Sequence, residues 1–185
     1  MGWMDGATML HICAMEGSLE VMEYLLSLPE VDVNAMDGFM ETPAFFAAYW
    51  GWYEVRLISI IQMHQFEFPV MFQMFPMLTA AGADLELKSS QLGPPIYAAA
   101  YFGYDYTVEA LLEAGANPDA IDDTYGETAL LVAAQFGYRE VARVLIEGGA
   151  DLNIRDDDGY TALFWAQEYN YRRIAKMLKK HGATL

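Results

Sequence analysis

Apolar positions along the chain recur in paired short blocks, and the blocks repeat. A pair of small residues, or near-pair, stands at Cys13-Ala14, Ala47-Ala48, Ala99-Ala100, Ala133-Ala134 and Ala166-Gln167, each ahead of a turn residue at Gly17, Gly51, Gly103, Gly137 and Asn170. Larger apolar residues follow four to nine positions later at i, i+3, i+4 spacing: Val21, Tyr24, Leu25; Val108, Leu111, Leu112; Val141, Val144, Leu145; Ile174, Met177, Leu178. That spacing predicts one buried face of a short helix. The small residues predict a preceding helix that lets a neighbour approach closely, ended by a residue for which positive φ costs little. After the second helix come "GANPDAIDD" and "GGADLNIRDDDG", which predict turns. A unit of helix, turn, helix and loop cannot bury its own apolar face alone, so the units must stack.

The turn residues are spaced by 34, 52, 34 and 33. Five units follow, at about 4–36, 37–88, 89–122, 123–156 and 157–185, in a single domain over 1–185. The long spacing exceeds a 33-residue unit by 19 residues, and the surplus is expected at about 60–77, "IIQMHQFEFPVMFQMFPM". Pro69 and Pro76 oppose one uninterrupted helix there. Phe66, Phe68, Phe72 and Phe75 then mark either an extension folded over the outer face or an adaptable recognition loop.

The motifs resemble the ankyrin repeat. They are Thr42-Pro43 with Ala47-Ala48 and Gly51, Thr128-Ala129-Leu130 with Ala133-Ala134 and Gly137, Thr161-Ala162-Leu163, and "TMLHICA" at 8–14. The loops "GADLE", "GANPD" and "GGADLN" are similar to that family's Gly-Ala-Asp-x-Asn loop. The resemblance implies an all-α ankyrin-repeat solenoid with hairpin loops. It also implies a structural role for His11, bonding neighbouring loop backbone; Phe45, Tyr97, Leu131 and Phe164 replace that histidine elsewhere. The last helix, polar outside and basic near its end, reads as the capping unit that closes the stack.

In the family, partners dock on the concave side at the loop tips and first-helix ends. Here those positions carry Tyr49, Trp50, Tyr101, Phe102, Phe136 and Tyr169, an aromatic ladder of about one step per unit. Tyr and Trp are common anchors of interfaces. Phe39, Tyr125 and Tyr160 add aromatic residues at the tips, among Glu41, Gln91, Glu127, Asp157 and Asp158. The residues just after the turn, Trp52, Tyr104, Tyr138 and Tyr171, read as packing between units.

Composition sharpens the picture. At 55% hydrophobic and 19% charged the chain is globular. Its net charge of −16 is uneven: residues 1–138 hold 19 acidic side chains against Arg56 and Lys88 alone, whereas residues 139–185 are nearly balanced. Such a field repels nucleic acid and anionic membrane and favours a basic, partly apolar protein or peptide. One cysteine, Cys13, and no visible signal sequence point to a cytoplasmic, reducing setting.

Motifs for catalysis are lacking. The three histidines lie in different units, and neither a phosphate loop nor a nucleophile elbow occurs. "DDDG" at 156–159 lacks the ligand spacing of a calcium loop and reads as a solvated tip. The expectation is a non-catalytic, cofactor-free, monomeric protein-binding module. The alternatives are an apolar small-molecule binder with the Phe/Met-rich segment as lid, or an engineered ankyrin binder. Asn34 resembles the loop asparagines that an asparaginyl hydroxylase modifies.

Overall fold

Each inner helix starts where a threonine or proline ends an extended segment. Thr42, Thr128 and Thr161 accept, through Oγ1, the backbone N–H three residues on, at 3.2, 3.4 and 3.4 Å. Pro94 and Pro95 set the same start without a donor. The computed structural model describes residues 5–50 and 70–185, which contain ten helices and no strand beyond isolated bridges. These are α1 Met9–Glu16, α2 Leu19–Leu26, α3 Pro43–Trp50, α4 Met71–Ala80, α5 Pro95–Tyr101, α6 Asp105–Glu113, α7 Ala129–Phe136, α8 Arg139–Glu147, α9 Ala162–Glu168 and α10 Arg172–Lys180.

The odd-numbered helices stack in one row and the even-numbered helices in a second. Ala47, Ala48, Ala99, Ala100, Ala133 and Ala134 are all 0% exposed, the close approach their size allows. Between rows the backbone turns at Gly17, Gly103 and Gly137 with φ of 72, 79 and 78°. Glycine is needed twice over at Gly103 and Gly137. A Cβ on Gly103 would lie 3.0 Å from the Tyr138 ring, and one on Gly137 would overlap the Tyr171 ring. The post-turn tyrosines Tyr138 and Tyr171 thus roof the preceding unit's turn and pack against the core. Asn170 makes the same turn at φ 60° in the last unit. Gly51, Trp52, Tyr53, Phe66 and Phe68 lie outside the described residues.

Hairpins project between units. Asp37, Ser89, Asp122 and Asp156, all buried, brace them by accepting backbone N–H groups. The buried Asp156 corrects the reading of "DDDG" as a wholly solvated tip; only Asp157 and Asp158 are exposed. The loops after the outer helices are laced together too. Asn34 Oδ1, Glu86 Oε1, Asp119 Oδ1 and Asn153 Oδ1 accept N–H groups from Asp84, Asn117, Asp151 and Thr184 of the next unit, each at 2.8 Å.

Two expectations change. In α2 the residue with 0% exposure is Met22, whereas Val21 and Tyr24 stand 46% and 64% exposed. The corresponding positions of α6 and α8, Thr107, Ala110, Val141 and Val144, are covered by the preceding unit. In the second unit, α4 ends 33 residues before α6 ends and packs on it as an ordinary outer helix. Met71, Met74, Phe75 and Leu78 are its buried face. Pro76 sits on its exposed side. Phe75, expected as an insertion contact, is core at 0% exposure, so the expected surplus segment of about 60–77 includes part of this outer helix from Met71 on.

Candidate functional site

Stacking in register decides how the pre-turn aromatic residues meet. The residue two before the turn in one unit reaches the residue one before the turn in the next. Tyr49 lies edge-on to Phe102 with centroids 5.1 Å apart, and Tyr101 lies edge-on to Phe136 at 5.3 Å. Within units, Tyr49 meets Trp50 at 5.0 Å and Tyr101 meets Phe102 at 5.3 Å. Edge-to-face pairs at these separations are favourable. The expected ladder is therefore a zigzag running from Phe45 through Tyr49, Phe102, Tyr101 and Phe136 to Tyr138.

Exposure rises along it. Tyr49, Trp50 and Phe102 are half-buried, whereas Tyr101, Phe136 and Tyr169 are 37%, 45% and 53% exposed. Gln135 occupies the position that would have carried the zigzag on to the next unit. Tyr169 instead stacks on Trp165 at 5.7 Å. It belongs to a second group with Tyr160 and Phe164, whose rings stack at 4.0 Å. The sequence reading did not single out Trp165. Its signal was the four-residue spacing to Tyr169, which places both rings on one helix face. The tips Phe39 and Tyr125 are exposed, and no ring contact joins them to either group among the described residues.

Carboxylates line the hairpin side of these rings. Glu127 accepts from Tyr97 Oη at 3.0 Å and from the Gln135 side-chain amide. Burial pushes Glu127 up, against those two donors, and burial with the nearby acids pushes Tyr97 up. Tyr97 stands where the first unit has His11, but it bonds the hairpin glutamate's side chain, whereas His11 bonds the backbone. His11 Nδ1 accepts the Thr8 N–H at 3.0 Å, which leaves the proton on Nε2, and Nε2–H donates to the Glu41 carbonyl at 2.9 Å. The structural role expected of His11 is what the geometry gives it. Burial lowers its pKa, and burial with the Asp37 charge pushes Glu41 up to about 7.

Elsewhere the surface is less organised. Phe72 is half-buried on α4. A groove of about 300 Å³ between α6 and α8 is lined by Glu109, Leu112, Glu113, Val144, Glu147 and Gly148. Arg143 already pairs with Glu147 at its edge, at 2.5 Å. Asn34 is committed at both ends of its amide, with Nδ2 donating to the Gly82 carbonyl at 3.1 Å. No cluster of three metal-ligating side chains occurs among the described residues, and none of their helices is long and apolar enough to cross a membrane.

Paired helices stacked in two rows, with hairpins projecting from one edge, define a helical repeat protein. Residues 73–185 match the family model for ankyrin repeats (3 copies), and residues 6–62 match that for ankyrin repeats (many copies). The chain belongs to the ankyrin repeat family. Ankyrin repeats as a class bind protein partners and are typically non-catalytic. No curated protein matches the chain.

Proposed function

We propose that the chain is a non-catalytic protein-binding module of five units in one domain, working in the cytoplasm as a monomer. Its partner is a protein or peptide of basic and apolar character that docks across the inner-helix ends and hairpin tips. The observation that carries this is the zigzag itself, in which Tyr101 and Phe136 remain exposed although each already packs on a neighbouring ring. Rings held by neighbours lose little freedom on binding, so their apolar area converts to affinity with a small ordering cost. Tyr49, Trp50 and Phe102 support the exposed rings from beneath, and Tyr169 with Tyr160 offers a second contact. Phe39 and Tyr125 flank them at the tips. The acidic field of residues 1–138 speeds encounter with a basic partner.

The alternative, an apolar small molecule beneath a Phe/Met-rich lid, has less support, because Met74, Phe75 and Leu78 are spent on the core. The test is selection of binding peptides from a random display library against the intact chain. A parallel selection uses the variant Tyr101→Ser, Phe136→Ser, Tyr169→Ser, whose sites are exposed enough to spare the fold. The expected result is enrichment of peptides combining Arg or Lys with large apolar residues, bound by the intact chain and lost by the variant. Equal binding to both proteins removes the zigzag as the docking surface.

A further inference from the structure

The hairpins repeat the same bracing, so a hairpin that lacks part of it stands out. Asp122 uses both carboxylate oxygens: Oδ2 accepts the Thr124 N–H at 2.8 Å and Oδ1 the Glu127 N–H at 2.9 Å. Asp156 does so too, with Oδ1 on the Tyr160 N–H at 2.8 Å and Oδ2 on the Trp165 indole N–H at 2.7 Å. Asp37 places Oδ1 on the Phe39 and Glu41 N–H groups at 2.8 and 2.9 Å, but Oδ2 has no donor among the described residues. The residue is 7% exposed, so water does not supply the missing donor freely. A buried acceptor left unmet is costly, and more so when charged.

The same contrast holds one layer out. Glu127 has two side-chain donors, Tyr97 and Gln135. Glu41 holds the corresponding place before Thr42, where the matching partners are His11 and Tyr49. His11 spends its Nε2–H on the Glu41 carbonyl, and the Glu41 carboxylate receives no donor among the described residues. Glu41 is half-buried, and Asp37 is near enough for its charge to act on it. Two neighbouring carboxylates of one hairpin therefore have no compensating donor among the described residues.

We propose that the Asp37–Glu41 pair receives a basic side chain of the partner, an arginine or a lysine. The inference rests on the protein-binding reading above and names one anchor within it. A planar guanidinium presents paired donors suited to a carboxylate, so arginine is the better fit. The cation lies against Glu41, the more exposed member, and neutralises Asp37 across it. In the free protein a proton on Glu41, whose pKa burial and the Asp37 charge push up to about 7, takes the place of that cation. Docking of the cation returns that proton to solvent, so affinity rises with pH through about 7. The groups that bear on Glu41 are Asp37 from its own hairpin and, from α1, His11, which is neutral and bonded to its carbonyl. Asp5, ahead of α1, meets the hairpin through its carbonyl, which accepts the Gly38 N–H at 2.7 Å.

The probe is N-acetyl-arginine amide, titrated into the full chain while the Glu41 side-chain carboxyl is followed by ¹³C NMR from pH 6 to 8. N-acetyl-lysine amide in parallel distinguishes the two cations. The expected result is a Glu41 titration midpoint that falls as probe is added, and probe binding weakened about tenfold in Glu41→Gln, the usual scale of one charge-assisted hydrogen bond. Glu30→Gln, an equal charge change at an exposed position outside the hairpin, leaves binding within about twofold. Circular dichroism confirms the fold of each variant. A Glu41 midpoint indifferent to the probe, or equal binding by the intact chain and Glu41→Gln, overturns the proposal. Tyr101→Ser with Phe136→Ser separates the two readings. Retention of both probe and selected peptide by that variant removes the zigzag and leaves the anchor standing.

Discussion

Single side chains in this stack answer to the unit beside them more than to their own helix. Gly137 and Gly149 make the point, since both hold positive φ, 78 and 88°. Beneath Gly137 sits the Tyr171 ring, whereas nothing lies within 4 Å of a Cβ on Gly149. Gly149→Ala should therefore cost about 1 kcal/mol, the strain of a left-handed L-residue alone. Gly137→Ala adds a steric clash with an aromatic ring, and should cost about 1–3 kcal/mol more. Urea unfolding of both variants checks the difference. Adding Tyr171→Ala to each should shrink the gap, since the extra cost is a pairwise term. Equal costs in the two single variants would remove the idea that Tyr171 fixes the glycine.

At the scale of the element, the repeat was legible because its punctuation is local. Threonine starts, alanine pairs and turn glycines are set by short-range sterics, and each recurs at a nearly fixed spacing. What was hidden depends on neighbours. Val21 and Met22 are both apolar and adjacent on α2, and only a preceding unit could have said which is covered. The run from Val70 to Leu78 has almost no polar face, so periodicity could not reveal α4 within it. The pre-turn rings were found, but their pairing across units needed the stacking register. Hairpin burial was hidden as well, and it has a consequence in pH. Glu41 holds its proton more tightly in the folded chain, about 7 against an ordinary 4.5. Its contribution is therefore full below 4.5 and lost as pH rises through about 7. His11, lowered by burial, acts in the opposite sense: its contribution is full above 6.5 and lost as pH falls below that value. Glu41→Gln should match the parent chain in stability at pH 4 and exceed it at pH 8, by chemical denaturation at both. A difference independent of pH would mean that Glu41 ionises in the fold as freely as in water.

At the scale of the whole molecule, the two end units differ in the polarity of their described outer faces. α10 presents Lys176 and Lys179 outward, and Gln167 on α9 stands where the earlier units carry buried alanines. None of the five basic side chains of α10 forms an ion pair among the described residues. The first unit exposes apolar side chains instead: Met9, Val21 and Tyr24 are 58%, 46% and 64% exposed. Stability of a stacked array is close to a sum over units and the interfaces between neighbours, so a unit with one interface opens more readily than one with two. Amide exchange in α1 and α2 should proceed through lower-energy openings than in α7 and α8, which are covered on both sides. A matched pair of substitutions tests the cause. Val21 and Val141 occupy the same place four residues after their turns, at 46% and 1% exposure. Val21→Lys should change stability by no more than about 0.5 kcal/mol, as exposed substitutions do. Val141→Lys places an unpaired ammonium between two units and should cost about 3 kcal/mol or more. If Val21→Lys instead costs as much as Val141→Lys, the outer face of the first unit is covered in solution.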